Sequence, residues 1–216
     1  IEDAKIMRAA LLAIPLESDD IPQINSLKIG LCQTHQWDEA DEYTHDAIEG
    51  VSETLAAAGA KLCKIELSLD FANLVEVHKT IMSFEGARNY AFERLNHGAR
   101  LSEGLNELLE IGAICSYNEY LEACAHAERC RRLLNSVFDD VDLLLTPSAR
   151  GEAPEGLKAT GDPIFSRMWT LLHVPSITIP VSLGSLGLPI GAQFVARYQS
   201  DDSLLRMTQT IDGVLR

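Results

Sequence analysis

The sequence predicts an α/β fold, a mixed central sheet covered by helices, with a mainly helical insert over about residues 70–138. Three observations carry this. A strand–helix–strand unit reads over residues 27–67. Short apolar runs recur at 141–146, 177–179 and 192–195, and helical periodicity fills most of the chain between them. No internal repeat, low-complexity tract or strong linker divides the 216 residues, so the chain 1–216 reads as one α/β unit.

The elements follow in order. Ile1 to Met7 begins a helix whose apolar face holds Ile6, Ala9, Ala10 and Ala13, with Asp3 a candidate cap. A polar loop over Pro15 to Ser26 contains Asp19 and Asp20. Leu27 to Cys32 reads as a strand, and Asp38 to Ala58 as a helix presenting Tyr43, Ala47, Ile48, Val51 and Leu55. Gly59 closes that helix, because a residue without Cβ takes the left-handed conformation cheaply. Lys61 to Leu67 alternates as a half-buried strand, which implies a crossover unit if both strands are parallel neighbours.

One long helix is expected over Phe71 to Asn96, ending near Gly98, and a short one over Leu101 to Glu110. Ser116 and Glu119 form a capping-box pattern opening a helix to about Phe138. Val141 to Thr146 is a nearly continuous apolar strand closed by Pro147. The loop 148–162 is long for a compact fold, and such loops often belong to binding sites or lids. Pro163 to Leu172 reads as a helix with Asp162 as its cap. Two strands around a Gly/Ser/Pro-rich connector follow, and Asp201-Asp202 opens the last helix.

Composition narrows the function. With 46% hydrophobic and 23% charged residues the chain can bury a core. The 32 acidic against 18 basic residues give −14, which disfavours nucleic acid unless a local basic patch exists. Arg129, Arg131 and Arg132 are the best such cluster, and a solvated helix face explains them better. Five cysteines without a CxxC pair fit a reducing compartment such as the cytoplasm, with Cys63 and Cys124 read as buried thiols. No run approaches the roughly 20 apolar residues of a membrane helix.

A search for catalytic constellations fails. Gly184-Ser185-Leu186-Gly187 places its first glycine one position too close for a nucleophile elbow, so Ser182 and Ser185 read as turn residues. The six histidines form neither HxH nor HExxH, and His78 and His173 read as structural. Phosphate-loop patterns are missing. No metal or cofactor site is expected.

The order of the later signals is nevertheless distinctive. Asp140-Val141-Asp142-Leu143-Leu144-Leu145-Thr146-Pro147 is followed by Gly161-Asp162-Pro163-x-Phe165-x-Arg167-x-Trp169-Thr170-Leu171-Leu172, then Val174-Pro175 through Pro180, then Gly187-Leu188-Pro189-x-Gly191-x-Gln193. This order resembles the C-terminal part of the amidase signature enzymes, serine amidohydrolases that include the glutamyl-tRNA amidotransferase A subunit. Gly59-Ala60, Ile81-Met82…Glu85-Gly86-Ala87-Arg88 and the opening Ile1-Glu2-Asp3-Ala4 are similar as well. The resemblance covers essentially the whole chain, but only the second half of a family member.

The resemblance implies a part of the amidase signature fold and C–N amide hydrolysis through a Ser–cisSer–Lys triad. The triad motifs match no segment here, so no residue receives a catalytic role, and this chain alone is expected to be inactive. The resemblance places Thr146, Pro147, Asp162, Phe165, Trp169 and Gln193 nearest the acyl pocket, as part of its wall. For Phe165 and Trp169 core packing, and for Asp162 helix capping, are equal alternatives. The expected partners are a small amide substrate, the absent N-terminal half and a second copy through uncovered strand edges. The Trp169-Thr170-Leu171-Leu172 form resembles the small-molecule amidases more than the tRNA amidotransferase. A non-catalytic ligand- or partner-binding module stands as the alternative of another class.

Overall fold

In the computed structural model, residues 1–15, 21–157 and 160–216 are described. Their elements run α1 (Glu2–Leu12), β1 (Lys28–Cys32), α2 (Glu42–Ala57), β2 (Lys61–Ile65), α3 (Leu74–Asn89), α4 (Ala91–His97), α5 (Glu103–Ile114) and α6 (Tyr117–Val137). After these come β3 (Leu143–Pro147), α7 (Ile164–Leu171), β4 (Ser176–Leu183), β5 (Pro189–Val195) and α8 (Asp201–Leu215). Asp19 and Asp20 of the expected polar loop lie outside the described residues, as do Lys158 and Ala159 of the loop 148–162.

The five strands form one mixed sheet in the order β2-β1-β3-β5-β4. β1 pairs in parallel with both β2 and β3, whereas β5 runs antiparallel to β3 and to β4. The switch from parallel to antiparallel therefore falls between β3 and β5. Side chains alternate across this sheet and sort into two cores. Leu143 and Leu145 of β3, with Phe194 of β5, pack under Ile48, Val51 and Leu55 of α2 and Leu204 and Ile211 of α8. Leu144 and Val195 point the other way, toward Leu74 and Val77 of α3, Leu134 of α6, and Met168 and Trp169 of α7.

Several local signals act as their chemistry requires. Asp41 Oδ1 accepts from the Thr44 amide at 2.8 Å and starts α2. Gly59, at φ +103°, ends the same segment. The Ser116–Glu119 capping box is complete, with Glu119 Oε2 accepting from the Ser116 amide at 2.8 Å.

Other expectations are corrected. The helix expected over 71–96 is interrupted at Tyr90, between α3 and α4. α3 buries Leu74, Val77, Phe84 and Ala87, while α4 buries nothing, so the helix breaks where its packed face ends. The following helix, α5, starts at the Ser102 cap and runs to Ile114, one turn past its expected end. Asp3 lies inside α1 without capping it. No residue of α1 is buried, and Met7, Leu11 and Leu12 are exposed; the Arg8–Asp202 ion pair ties α1 to α8. Cys63 is exposed on the edge strand β2 rather than buried. Cys32 is buried, and burial pushes its thiol up to about 12.

Glycine spacing sets how closely α3 and α5 approach. A Cβ added at Gly112 would stand 1.7 Å from the Ser83 carbonyl oxygen, which is backbone and has little room to move. Gly50, in the middle of α2, meets nothing within 4 Å. Gly112→Ala is therefore expected to destabilise the chain by about 1–3 kcal/mol through overpacking. Gly50→Ala should stabilise it by about 0.4–1 kcal/mol. Urea unfolding of both variants checks the pair, and an equal effect at the two positions would refute the close approach.

Candidate functional site

The site grows from the carboxyl end of β3. Residues 143–145 are apolar and dry, and Thr146 follows on the α7 face, fully buried. Its cross-strand partner on β5 is Gln193, also buried, and Gln193 in turn faces Thr178 on β4. Thr146, Gln193 and Thr178 thus form a polar row across three strands, continuing the line of Leu144 and Val195. Pro147 is buried too, but alternation turns it toward the α2 face.

α7 covers this face. Phe165, Met168, Trp169 and Leu172 recur at helical spacing and are all buried, so Phe165 and Trp169 are core residues. Asp162 is placed otherwise than its sequence position suggests. It makes no cap; its carboxylate stands 3.5 Å from both Arg150 and Arg167, and Pro163 occupies the N-cap position.

The polar groups here are left unpaired to an unusual degree. Six buried side-chain nitrogen or oxygen atoms lack a hydrogen-bond partner among the described residues. Five belong to this side of the sheet: Thr146 Oγ1, Gln193 Oε1, Trp169 Nε1, Arg167 Nε and His78 Nδ1. Buried polar groups are nearly always bonded, since each orphan costs about 1–3 kcal/mol, so such a cluster asks for a cause. His78, on α3, is held below its ordinary pKa of 6.5 by burial and then by the charge of Arg167. His173, left-handed at φ +59° just after α7, is lowered by burial and by Arg131.

A groove of about 550 Å³ opens beside this cluster, lined by His78, Glu85, Cys124, Arg131, Thr170 and His173. The basic run on α6 offers no free patch for phosphates. Arg129 pairs with Asp70, Arg132 with Glu128, and Arg131 donates to the Leu171 carbonyl at 2.8 Å, capping the end of α7. No group of three or more potential metal-ligating side chains occurs among the described residues, and none of their helices is long and apolar enough to cross a membrane. Ser185 sits at the exposed hairpin tip, and the carboxylate nearest its hydroxyl, Glu152 at 3.4 Å, is already engaged by the Leu186 and Leu188 amides.

The deciding comparison is with family models: the one described as Amidase matches residues 13–205. The chain belongs to the amidase family. Curated amidase relatives include the A subunit of the mitochondrial glutamyl-tRNA(Gln) amidotransferase of Homo sapiens, 26% identical over 230 residues, covering 90% of this chain and 43% of that protein. The 2-amino-5-chloromuconic acid deaminase of Comamonas testosteroni is 24% identical over 225 residues, covering 95% of this chain and 48% of the deaminase. A solved amidase superposes with a TM-score of 0.87 at 23% identity, over all of this chain and 51% of that one. The chain thus has the amidase signature fold and spans about half the length of the curated relatives it matches.

Sequence reasoning named Thr146, Phe165, Trp169 and Gln193, which the fold brings to one face. It passed over His78 as structural and gave Arg167 no role. Helical spacing placed both on their helices, and Arg167 also stands in the family pattern, but neither signal shows that α3 and α7 face each other.

Two outcomes follow. Thr146→Val replaces an unbonded hydroxyl with a methyl of like shape, and should leave this chain equally stable or more stable, by up to about 1 kcal/mol. A loss above that size in thermal unfolding would mean the hydroxyl is bonded after all. For His78 the folded pKa is lowered, so the unfolded state takes up the proton first as pH falls. Stability is then fully present above about pH 6.5 and declines below it. His78→Asn should flatten part of that decline in denaturation curves taken between pH 5 and 7.

Proposed function

We propose that this chain forms the C-terminal half of an enzyme that hydrolyses a carbon–nitrogen amide bond of a small molecule. The orphaned polar cluster at the carboxyl end of β3 carries the reading. In a family member, polar atoms that find no partner within one half are suited to meet substrate or the other half. Thr146 and Gln193, with Trp169 and Phe165 behind them, would form wall of the acyl pocket. Pro147 and Asp162 would border it, Asp162 through its contacts with Arg150 and Arg167. Ligands of open α/β sheets gather outside the carboxyl ends of strands where the strand order reverses, which here is between β1 and β3, at the end of β3 that carries Thr146.

The chemistry follows from activated-serine catalysis. A lysine takes the proton of a bridging serine, which takes that of the nucleophilic serine. The nucleophile's oxygen bonds to the amide carbon, and backbone N–H groups hold the oxyanion. The C–N bond breaks as the amine leaves with a proton, and water then releases the acid from the serine. In this proposal all three triad residues lie in a segment outside these 216 residues, and no cofactor takes part. The exposed apolar residues of α1, Met7, Leu11 and Leu12, give that segment or a second copy something to cover.

A second reading rests on the amidotransferase relatives: the same half-fold serving a protein that acts on charged tRNA together with protein partners. The Trp169-Thr170-Leu171-Leu172 form supports the small-molecule reading instead. Assay of the full gene product and of this chain against a panel of small amides, scoring ammonia or amine release, tests the proposal. Turnover by the full product and none by this chain is expected. Comparable turnover by this chain alone would overturn the placement of the nucleophile, and glutamine-dependent transamidation of charged tRNA would favour the second reading.

A further inference from the structure

The tip of the β4–β5 hairpin, residues 184–188, holds a carboxylate. Glu152 Oε1 accepts from the Leu188 amide at 2.6 Å and the Leu186 amide at 3.1 Å. Its Oε2 accepts from the Leu186 amide at 2.9 Å, with the Ser185 hydroxyl at 3.4 Å. Gly187, at φ +78°, lets the chain turn between the two donating amides. Backbone amides converging through such a left-handed residue form a concavity suited to anions. Gly184 clears the approach, since a Cβ there would stand 2.4 Å from the Glu152 side chain.

Glu152 belongs to a segment tied down at Ser148, Arg150 and Gly151. Ser148 Oγ donates to the Gly191 carbonyl at 3.0 Å. The Arg150 carbonyl accepts from the Asp41 amide at 2.7 Å and the Thr44 hydroxyl at 3.4 Å, while its guanidinium pairs with Glu39 at 2.8 Å. Gly151 lies so close to Asp41 that a Cβ would fall 2.1 Å from its Oδ2. Residues 148–152 therefore run from the end of β3, past the start of α2, to the hairpin tip.

We propose that the hairpin tip is a carboxylate-binding nest, filled by Glu152 as an internal ligand, which locks the 148–152 strap between the carboxyl end of β3 and the start of β5. This does not rest on the proposed amide hydrolysis. Glu152→Ala empties the nest, and hydrogen exchange read at single amides reports it. The Leu186 and Leu188 amides should then exchange on the order of tenfold faster or more, because each loses a charge-assisted bond. Phe194 and Val195, in the sheet, should keep wild-type rates and so report an intact fold.

Saturating sodium acetate should slow Leu186 and Leu188 again in Glu152→Ala, where sodium chloride of equal ionic strength does not. Unchanged exchange in the variant, or fast exchange that acetate slows no more than chloride, overturns the proposal. If Phe194 and Val195 also lose protection, Glu152→Gln takes over, since it keeps one acceptor. Intermediate rates at Leu186 and Leu188 then support the nest, and wild-type rates overturn it.

Discussion

The fold depends on β3 being paired on both edges and covered on both faces. Leu143, Leu144 and Leu145 are all fully buried, so this strand has no solvent to satisfy its backbone. β1 on one side and β5 on the other do so, and they run in opposite directions relative to it. That pairing fixes the switch in the sheet. It also fixes where the polar row must begin, because Thr146 is the first side chain of β3 that is not apolar. Every helix that touches the sheet packs on one of the two cores divided by these three leucines.

From this centre the segment after Pro147 has to cross from β3 to α7. It does so held by several anchors rather than as a free loop. Length alone suggests a lid; the contacts of Ser148, Arg150 and Glu152 make at least its first five residues a strap. The same contacts explain the two serines at the hairpin. Ser182 lies in β4 and Ser185 at an exposed tip, so both serve strand and turn, while the tip amides bind a carboxylate.

How much of this the sequence discloses depends on the range of the interaction. The capping box at Ser116, the left-handed Gly59 and the apolar run before Thr146 are local, and each is legible because neighbouring residues decide it. The break at Tyr90 is not, because no glycine or proline marks it; what ends α3 is the loss of a face to pack against. Asp162 shows the same limit. Aspartate before a helix is a capping signal, yet arginines 12 residues upstream and five residues downstream compete for its carboxylate. For the site, the register of β3 on β5 is not written in either strand, so Thr146 and Gln193 emerge as separate candidates rather than cross-strand neighbours. The orphaned state of their polar atoms is a property of packing and leaves no trace in composition.

The acidic excess also takes on a physical meaning. A net charge of −14 reads as solubility and repulsion of phosphates, yet several carboxylates are spent on backbone amides at the joints of the fold. Asp41 starts α2 and Glu119 starts α6. Asp142 Oδ2 accepts from the Lys28 amide at 2.8 Å while the Asp142 amide donates to the Lys28 carbonyl, which joins the first residue of β1 to the approach of β3. Glu152 does the same for the hairpin tip. Each bonds N–H groups that no strand or helix ladder would satisfy, and a charged acceptor makes a stronger bond there than a neutral one. A lysine at any of these positions would present a donor to a donor. Part of the negative charge is therefore dictated by the turns and helix starts of this fold, before any demand from a substrate is considered.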